Sequence, residues 1–194
     1  MNPYVSFALA MCVIVFLALA GTAYLAVVFN RRAKRDLDAA LTPLAAVVDG
    51  EVNLDDALVK GRYRGHIAEG RMATSFTGPG RVFHTSIIDG AGGSGWQWTL
   101  AKPKQPGEVP ERTFTSNDPA LEERLGPAVN EVLSPLATGA TWEQFDYDPA
   151  TGHIRRIVPM QTRRDLPRAD QFTHQLDTLV AVANLNRKVQ HPEP

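Results

Sequence analysis

The chain has 194 residues, 44% apolar and 21% charged, a balance that excludes wholesale disorder and a membrane protein of many spans. Its one cysteine, Cys12, excludes an internal disulfide framework and a cysteine-based zinc site. The formal net charge of −1 hides an asymmetry. Residues 1–35 carry four basic and no acidic side chains, so the remainder holds 16 of the 20 basic and all 21 acidic residues, a net of −5.

After a short tail at residues 1–3, no charge occurs from Tyr4 to Phe29. A helix over these 26 residues spans roughly 39 Å, longer than the hydrocarbon core of about 30 Å. Residues 4–29 therefore read as a transmembrane helix, with the lipid bilayer as its first partner. Two processing readings compete with a permanent anchor. Ala18-Leu19-Ala20 has the small-x-small form of a signal-peptidase site, but Met1-Asn2-Pro3 lacks the positive side chains of a secretory signal. Leu9-Ala10-Met11-Cys12 echoes a lipoprotein box, but Met11 is too bulky for the position before the cysteine.

The juxtamembrane segment 30–35 holds Arg31, Arg32, Lys34 and Arg35. Nothing basic precedes the apolar run, so the positive-inside rule puts the C-terminal side in the cytoplasm of a bacterial inner membrane. The four cations also suit anionic lipid headgroups, at about 1 kcal/mol each. Nucleic acid is not an expected partner: the cluster is short and the domain behind it is acidic.

Residues 36–189 are long enough for one soluble domain with a real core. From Asp36 to Val48 the apolar residues Leu37, Leu41, Leu44, Ala45 and Val48 recur at helical spacing, with Thr42-Pro43 as a point of kink or restart and Asp49-Gly50 as the stop. A short helical turn is expected from Asn53 or Asp55 through Leu58. Strands are expected near 63–68, 71–77, 81–88, 96–101 and 111–115, separated by Gly- and Pro-rich breaks. Within 81–88, Val82, His84, Ser86 and Ile88 share one face and Phe83, Thr85 and Ile87 the other. Trp96, Trp98 and Leu100 likewise share a face opposite Gln97 and Thr99.

Asp118 and Pro119 suit a helix N-cap and first position. Gly126-Pro127 and Ser134-Pro135 then break residues 120–137 into two short helices. A hairpin follows over 141–147 and 153–160. The last helix runs from Arg168 to Val189, with a stripe of Phe172, Leu176, Leu179, Val180, Ala183 and Val189 flanked by Val182 and Leu185, and with Gln171, His174, Asp177, Thr178 and Arg187 on its opposite face. Residues 190–194 form a frayed tail. The fold class is α+β: one N-terminal transmembrane helix, a mainly antiparallel sheet and a long C-terminal helix. The order of elements resembles bacterial proteins with one N-terminal anchor and a small α+β domain, a likeness of architecture that transfers no site.

Chemistry-bearing motifs are sparse. Gly90-Ala91-Gly92-Gly93-Ser94-Gly95 matches the letters of a dinucleotide fingerprint, but that chemistry needs a helix N-terminus directly afterwards, and Trp96-Gln97-Trp98 reads as strand. His66 and Glu69 are three apart, which on a strand points them to opposite faces. His84 joins His66 in a metal site only if their strands pair in register. Asp146 and Asp148, and the adjacent Asp55 and Asp56, are candidate paired carboxylates whose ordinary role is to cap turns. Arg155-Arg156 and Arg163-Arg164 are solvated charges by default, or with Arg62 and Arg64 a basic patch. No cofactor or metal is expected.

The candidate ligand-binding residues are His84, Trp96, Trp98, Gly92 and Gly93, an aromatic wall beside a glycine-rich loop. The competing expectation buries both tryptophans under a helix. Three functions follow. The first is a membrane-anchored, non-catalytic interaction or ligand-sensing domain. The second is an anchored, hydrolase-like enzyme on an envelope or lipid-derived substrate, with His84, Trp96, Trp98 and the 90–95 loop as its pocket. The third is an accessory subunit whose anchor packs in a larger complex; Ala8, Ala18, Gly21 and Ala26 are small but form no strong small-xxx-small pair beyond Ala18 with Thr22.

Overall fold

The computed structural model describes residues 3–74, 80–101, 110–133 and 142–190. The chain divides into two compact units after Ala39. The architecture is α+β, with an N-terminal apolar helix, an antiparallel sheet and a C-terminal helix.

The apolar run, the basic segment and the first helix of the domain form a single helix, α1, over Pro3–Val47. It is long and apolar enough to cross a membrane, with a mean hydropathy of 2.5 over its most apolar window and none of that window buried. Pro43 removes the bond to the Ala39 carbonyl, yet the helix runs on without a restart. In the second unit its last turns bury Leu41, Leu44, Ala45 and Val48. Asp49, with φ of 45°, ends it, and the Gly50 amide donates to the Ala45 carbonyl at 3.0 Å.

The expected helical turn from Asn53 is instead a hairpin. Strand β1 (Glu51–Asn53) pairs with β2 (Leu58–Tyr63). The Asn53 side chain accepts from the amides of Asp55 and Asp56, at 3.0 and 3.3 Å, so it caps a turn rather than a helix. Strand β3 (His66–Thr74) follows through Arg64-Gly65, both with positive φ, the geometry of a two-residue hairpin. The expected break between 68 and 71 is absent. Gly70 sits inside β3, where the rings of Phe83 and Phe172 come within 3.1 Å of the place a Cβ would occupy. That glycine is a socket for two rings, and the strand continues across it.

Strands β4 (Arg81–Ile88), β5 (Trp96–Leu100), β6 (Arg112–Ser116), β7 (Glu143–Asp148) and β8 (His153–Met160) complete an eight-stranded sheet in the order β1-β2-β3-β4-β8-β7-β5-β6. Every pairing is antiparallel. Helix α2 is one element over Pro119–Leu133 rather than two, continuing through Gly126-Pro127. Asp118 caps it as expected, accepting from the Ala120 amide at 2.9 Å. Gly126 is buried where a Cβ would stand 3.4 Å from the Phe114 ring, so α2 packs close over β6. The expected Ser134-Pro135 break lies outside the described residues.

Helix α3 (Ala169–Gln190) packs on β4, β8 and α2. Its buried line is Phe172, Leu176, Thr178, Leu179, Val182, Ala183 and Asn186. Thr178 thus belongs to the covered side, its hydroxyl satisfied by the His174 carbonyl at 2.9 Å. Val182 is fully buried while Val180 and Val189 are only half-buried, so the stripe lies slightly rotated from the expected one.

Candidate functional site

Register decides which side chains meet. Directly paired residues of an antiparallel sheet point to one face. Thr85, Arg156, Phe145, Trp98 and Phe114 form one such row, and Ile87, Ile154, Tyr147 and Trp96 another. Thr85 donates to Gln175 of α3 at 2.6 Å, Trp98 to Asn130 of α2 at 2.6 Å and Trp96 to Asn186 of α3 at 2.8 Å. This is the face that α2 and α3 cover.

The row through His84 contains Leu58, Arg71, Ile157, Gln144, Thr99 and Thr113, and points the other way. The expected joint pocket of His84, Trp96 and Trp98 therefore does not form. Trp98 is 0% exposed and Trp96 3%, and the sheet itself separates both from His84. Trp98 meets Phe145 edge-on at 5.7 Å, and Trp96 stacks on Phe114 at 5.6 Å and Tyr147 at 6.3 Å. These are core rings whose indole N–H groups are satisfied by helix amides.

Gly92 and Gly93 are also occupied by the fold. The Tyr147 hydroxyl reaches the Gly92 carbonyl at 2.6 Å, and the Gly92 amide donates to the Pro149 carbonyl at 2.8 Å. A Cβ on Gly93, whose φ is +76°, would meet the Gln190 side chain. Gln190 accepts from the Ser94 amide at 2.6 Å, donates to the Ser94 carbonyl at 3.1 Å and donates to Asn186 at 2.7 Å. The glycine-rich loop is thus a dock for the end of α3, and strand β5 follows it directly. A cavity of about 260 Å³ lies beside it, lined by Asp89, Gly90, Ala91, Tyr147, Asn186 and Arg187. Asp89 is bound there by Arg187 and lies 3.6 Å from His66 Nδ1. Burial, and then the Asp89 charge, push the Tyr147 hydroxyl above its ordinary pKa.

His66 and Glu69 point to opposite faces as expected, Glu69 toward Lys60 at 2.8 Å and His153 at 4.0 Å. His84 pairs with Arg71 and not with His66. Among the described residues no group of three or more His, Cys, Asp or Glu side chains converges as a metal site. Arg155 and Arg156 part company across the sheet. Arg155 joins Asp146 on the open face at 2.6 Å, whereas Arg156 is mostly buried against Glu143 and lies over the Phe145 ring. Arg64 pairs with Asp177 at 3.0 Å and the sheet parts Arg155 from Arg156, so these three do not join in one basic patch. The Arg163 side chain lies outside the described residues.

The open face holds the group that sequence reading missed. One row reads Thr115, Gln97, Asp146, Arg155, Ser86, Glu69, Lys60 across seven strands. Asp146 accepts from Arg155 Nε at 2.6 Å and from Gln144 Nε2 at 3.2 Å. Asp148 caps the β7–β8 turn, accepting from the Ala150 amide at 3.0 Å and the Thr151 hydroxyl at 2.8 Å, and these bonds hold its carboxyl below the ordinary range. His84 lies below the ordinary histidine value because burial disfavours the imidazolium. Arg155 and Arg71 add to that and Asp146 opposes it. The signal for this surface was the polar half of each alternating strand. Arg31, Arg32, Lys34 and Arg35 are exposed on α1.

Comparison with family models, with curated proteins and with solved structures finds no match.

Proposed function

We propose that the chain is a single-pass protein of a cell inner membrane whose C-terminal domain faces the cytoplasm and serves as a non-catalytic interaction or ligand-sensing module. The observation that carries this reading is the uncovered apolar surface of α1. Large apolar side chains stand exposed from Tyr4 to Phe29, among them Phe16 at 70% and Leu19 at 65%. Leaving each such side chain in water costs about 1.5–3 kcal/mol, which a bilayer relieves. The exposed Arg31, Arg32, Lys34 and Arg35 follow at once, which supports the cytoplasmic side and contact with anionic headgroups.

The character of the domain supports binding over catalysis. Four acidic groups of the sheet and its edge are committed to basic ones: Asp146 to Arg155, Glu143 to Arg156, Asp89 to Arg187 and Glu69 to Lys60. The hydrolase-like alternative drew its pocket from residues that the sheet divides between two faces. A tether confines the open sheet face to two dimensions and raises its effective concentration toward partners in or on the membrane.

Protease accessibility of a C-terminal tag in spheroplasts and in lysed membranes tests the sidedness. The tag is expected to survive in spheroplasts and to be cleaved after lysis. Cleavage in intact spheroplasts would overturn the cytoplasmic assignment. A purified chain that needs no detergent to stay soluble would overturn the anchor.

A further inference from the structure

Where β5, β6, β7 and β8 end together, the open face dips into a pocket of about 480 Å³. The row Thr115, Gln97, Asp146, Arg155 forms its floor, one residue from each of four adjacent strands. At about 4.8 Å between strands the row is roughly 14 Å long. Gln144 and Asn117 flank it. The floor is therefore made of planar amides, a hydroxyl and a carboxylate–guanidinium pair.

Three classes of ligand fit badly. An anion meets Asp146 and Asp148 against the lone cation Arg155, which Asp146 already binds. An apolar ligand finds its floor lined by side chains that all carry hydrogen-bonding groups. A metal ion finds Arg155 already on Asp146, and Asp148 engaged in its turn. What the pocket offers is mixed donor and acceptor capacity. The side chains of Gln97 and Asn117 are exposed and make no hydrogen bond to other described residues, so each presents two N–H donors and a carbonyl. A hydroxyl group both donates and accepts, and a ligand with several hydroxyls along a short chain of rings matches such a row.

Resting on the ligand-sensing reading above, we infer that this pocket binds a neutral polyhydroxylated ligand of the saccharide class, through Gln97, Asn117, Asp146 and Arg155. The same chemistry is offered by a free sugar and by the end of a polysaccharide. With a few hydrogen bonds on an open surface as the contacts, affinity is expected in the millimolar range.

Saturation-transfer NMR on the full chain in detergent micelles tests this, with glucose, maltose and maltotriose as probes. Transfer to at least one probe is expected. The Gln97→Ala/Asn117→Ala variant should bind at least about tenfold more weakly, since two neutral hydrogen bonds are removed. Lys188→Ala, an exposed change on α3, should bind as the parent does. Equal transfer to glucose and maltotriose identifies a free sugar, and transfer that grows with chain length identifies a polysaccharide end; either outcome supports the site. No transfer to any probe, or transfer unchanged in a double variant whose circular dichroism matches the parent, would overturn it. Neither result touches the protease test, so loss of the saccharide site and loss of the anchored, cytoplasmic reading remain separate outcomes.

Discussion

The two faces of the sheet are built from the same strands, often from neighbouring residues, and they follow opposite rules. On the covered face, Trp98, Phe145, Ile154 and Ile87 are fully buried, and Thr85, Trp96 and Trp98 donate to side chains of α2 or α3. On the open face, Gln97, Asp146, Arg155 and His84 remain partly or fully accessible, and Asp146 and Arg155 pair with each other across strands. The difference teaches where function can reside. A residue one step along β5 passes from stabilising the fold to meeting whatever approaches the domain.

The largest test of that contrast is truncation on each face. Trp98→Ala removes a fully buried indole and leaves Asn130 without its donor, so a loss of about 3–5 kcal/mol is expected in chemical denaturation. His84→Ala, on the other side of the sheet, is expected to cost less than about 1 kcal/mol. Equal losses would erase the distinction between the faces.

Ion pairs give a second, smaller contrast. Glu143 is 0% exposed, and among the described residues its Oε2 has no partner while Arg156 binds its Oε1. Glu143→Ala strands a largely buried guanidinium and is expected to cost about 3 kcal/mol. Asp146→Ala breaks a pair whose arginine is 39% exposed, and at most about 1 kcal/mol is expected. Melting both variants in the same detergent measures the ratio. A costlier Asp146→Ala would mean that the open face carries stability rather than exposure.

The smallest effect is a pH dependence from His84. Its folded pKa lies below the ordinary value of 6.5, so the unfolded chain takes up the proton first as pH falls. Between the two values the unfolded state binds more protons, and stability drops as pH falls through that window and returns above it. Between about pH 7.5 and about pH 5 the parent should therefore lose more melting temperature than His84→Gln. An equal loss in both would show that His84 is not the group responsible.

Much of this architecture was legible in residue patterns. The apolar run and its basic flank mark α1, and Asp118-Pro119 marks the start of α2. The alternation in 81–88 and 96–100 assigns opposite faces to Phe83 and His84, and to Trp98 and Gln97, as the structure does. Register was not legible. Only pairing through β4, β8, β7 and β5 shows that the Trp98 face and the His84 face are opposite faces of one sheet. Local signals misled where tertiary contacts outweighed them. The gap expected between 68 and 71 is bridged by Gly70, which receives two rings, and Gly126-Pro127 reads as a helix end but Gly126 packs against Phe114. The half-buried Asn130 and the buried Asn186 look like surface residues until the indoles they accept from are known.

Accessibility of single thiols tests the two-face account most directly. Cys12 is the chain's one cysteine, so Cys12→Ser supplies a thiol-free background. In it, Gln97→Cys places a thiol on the open face and Ala183→Cys places one in the α3 core, where Ala183 is 0% exposed. Maleimide should label the Gln97→Cys variant of the native full chain at the rate of a free thiol. The Ala183→Cys variant should stay protected until denaturant is added. Protection of the Gln97→Cys variant in the native chain would mean that the polar face is covered, and the account of an open, ligand-facing sheet would fail.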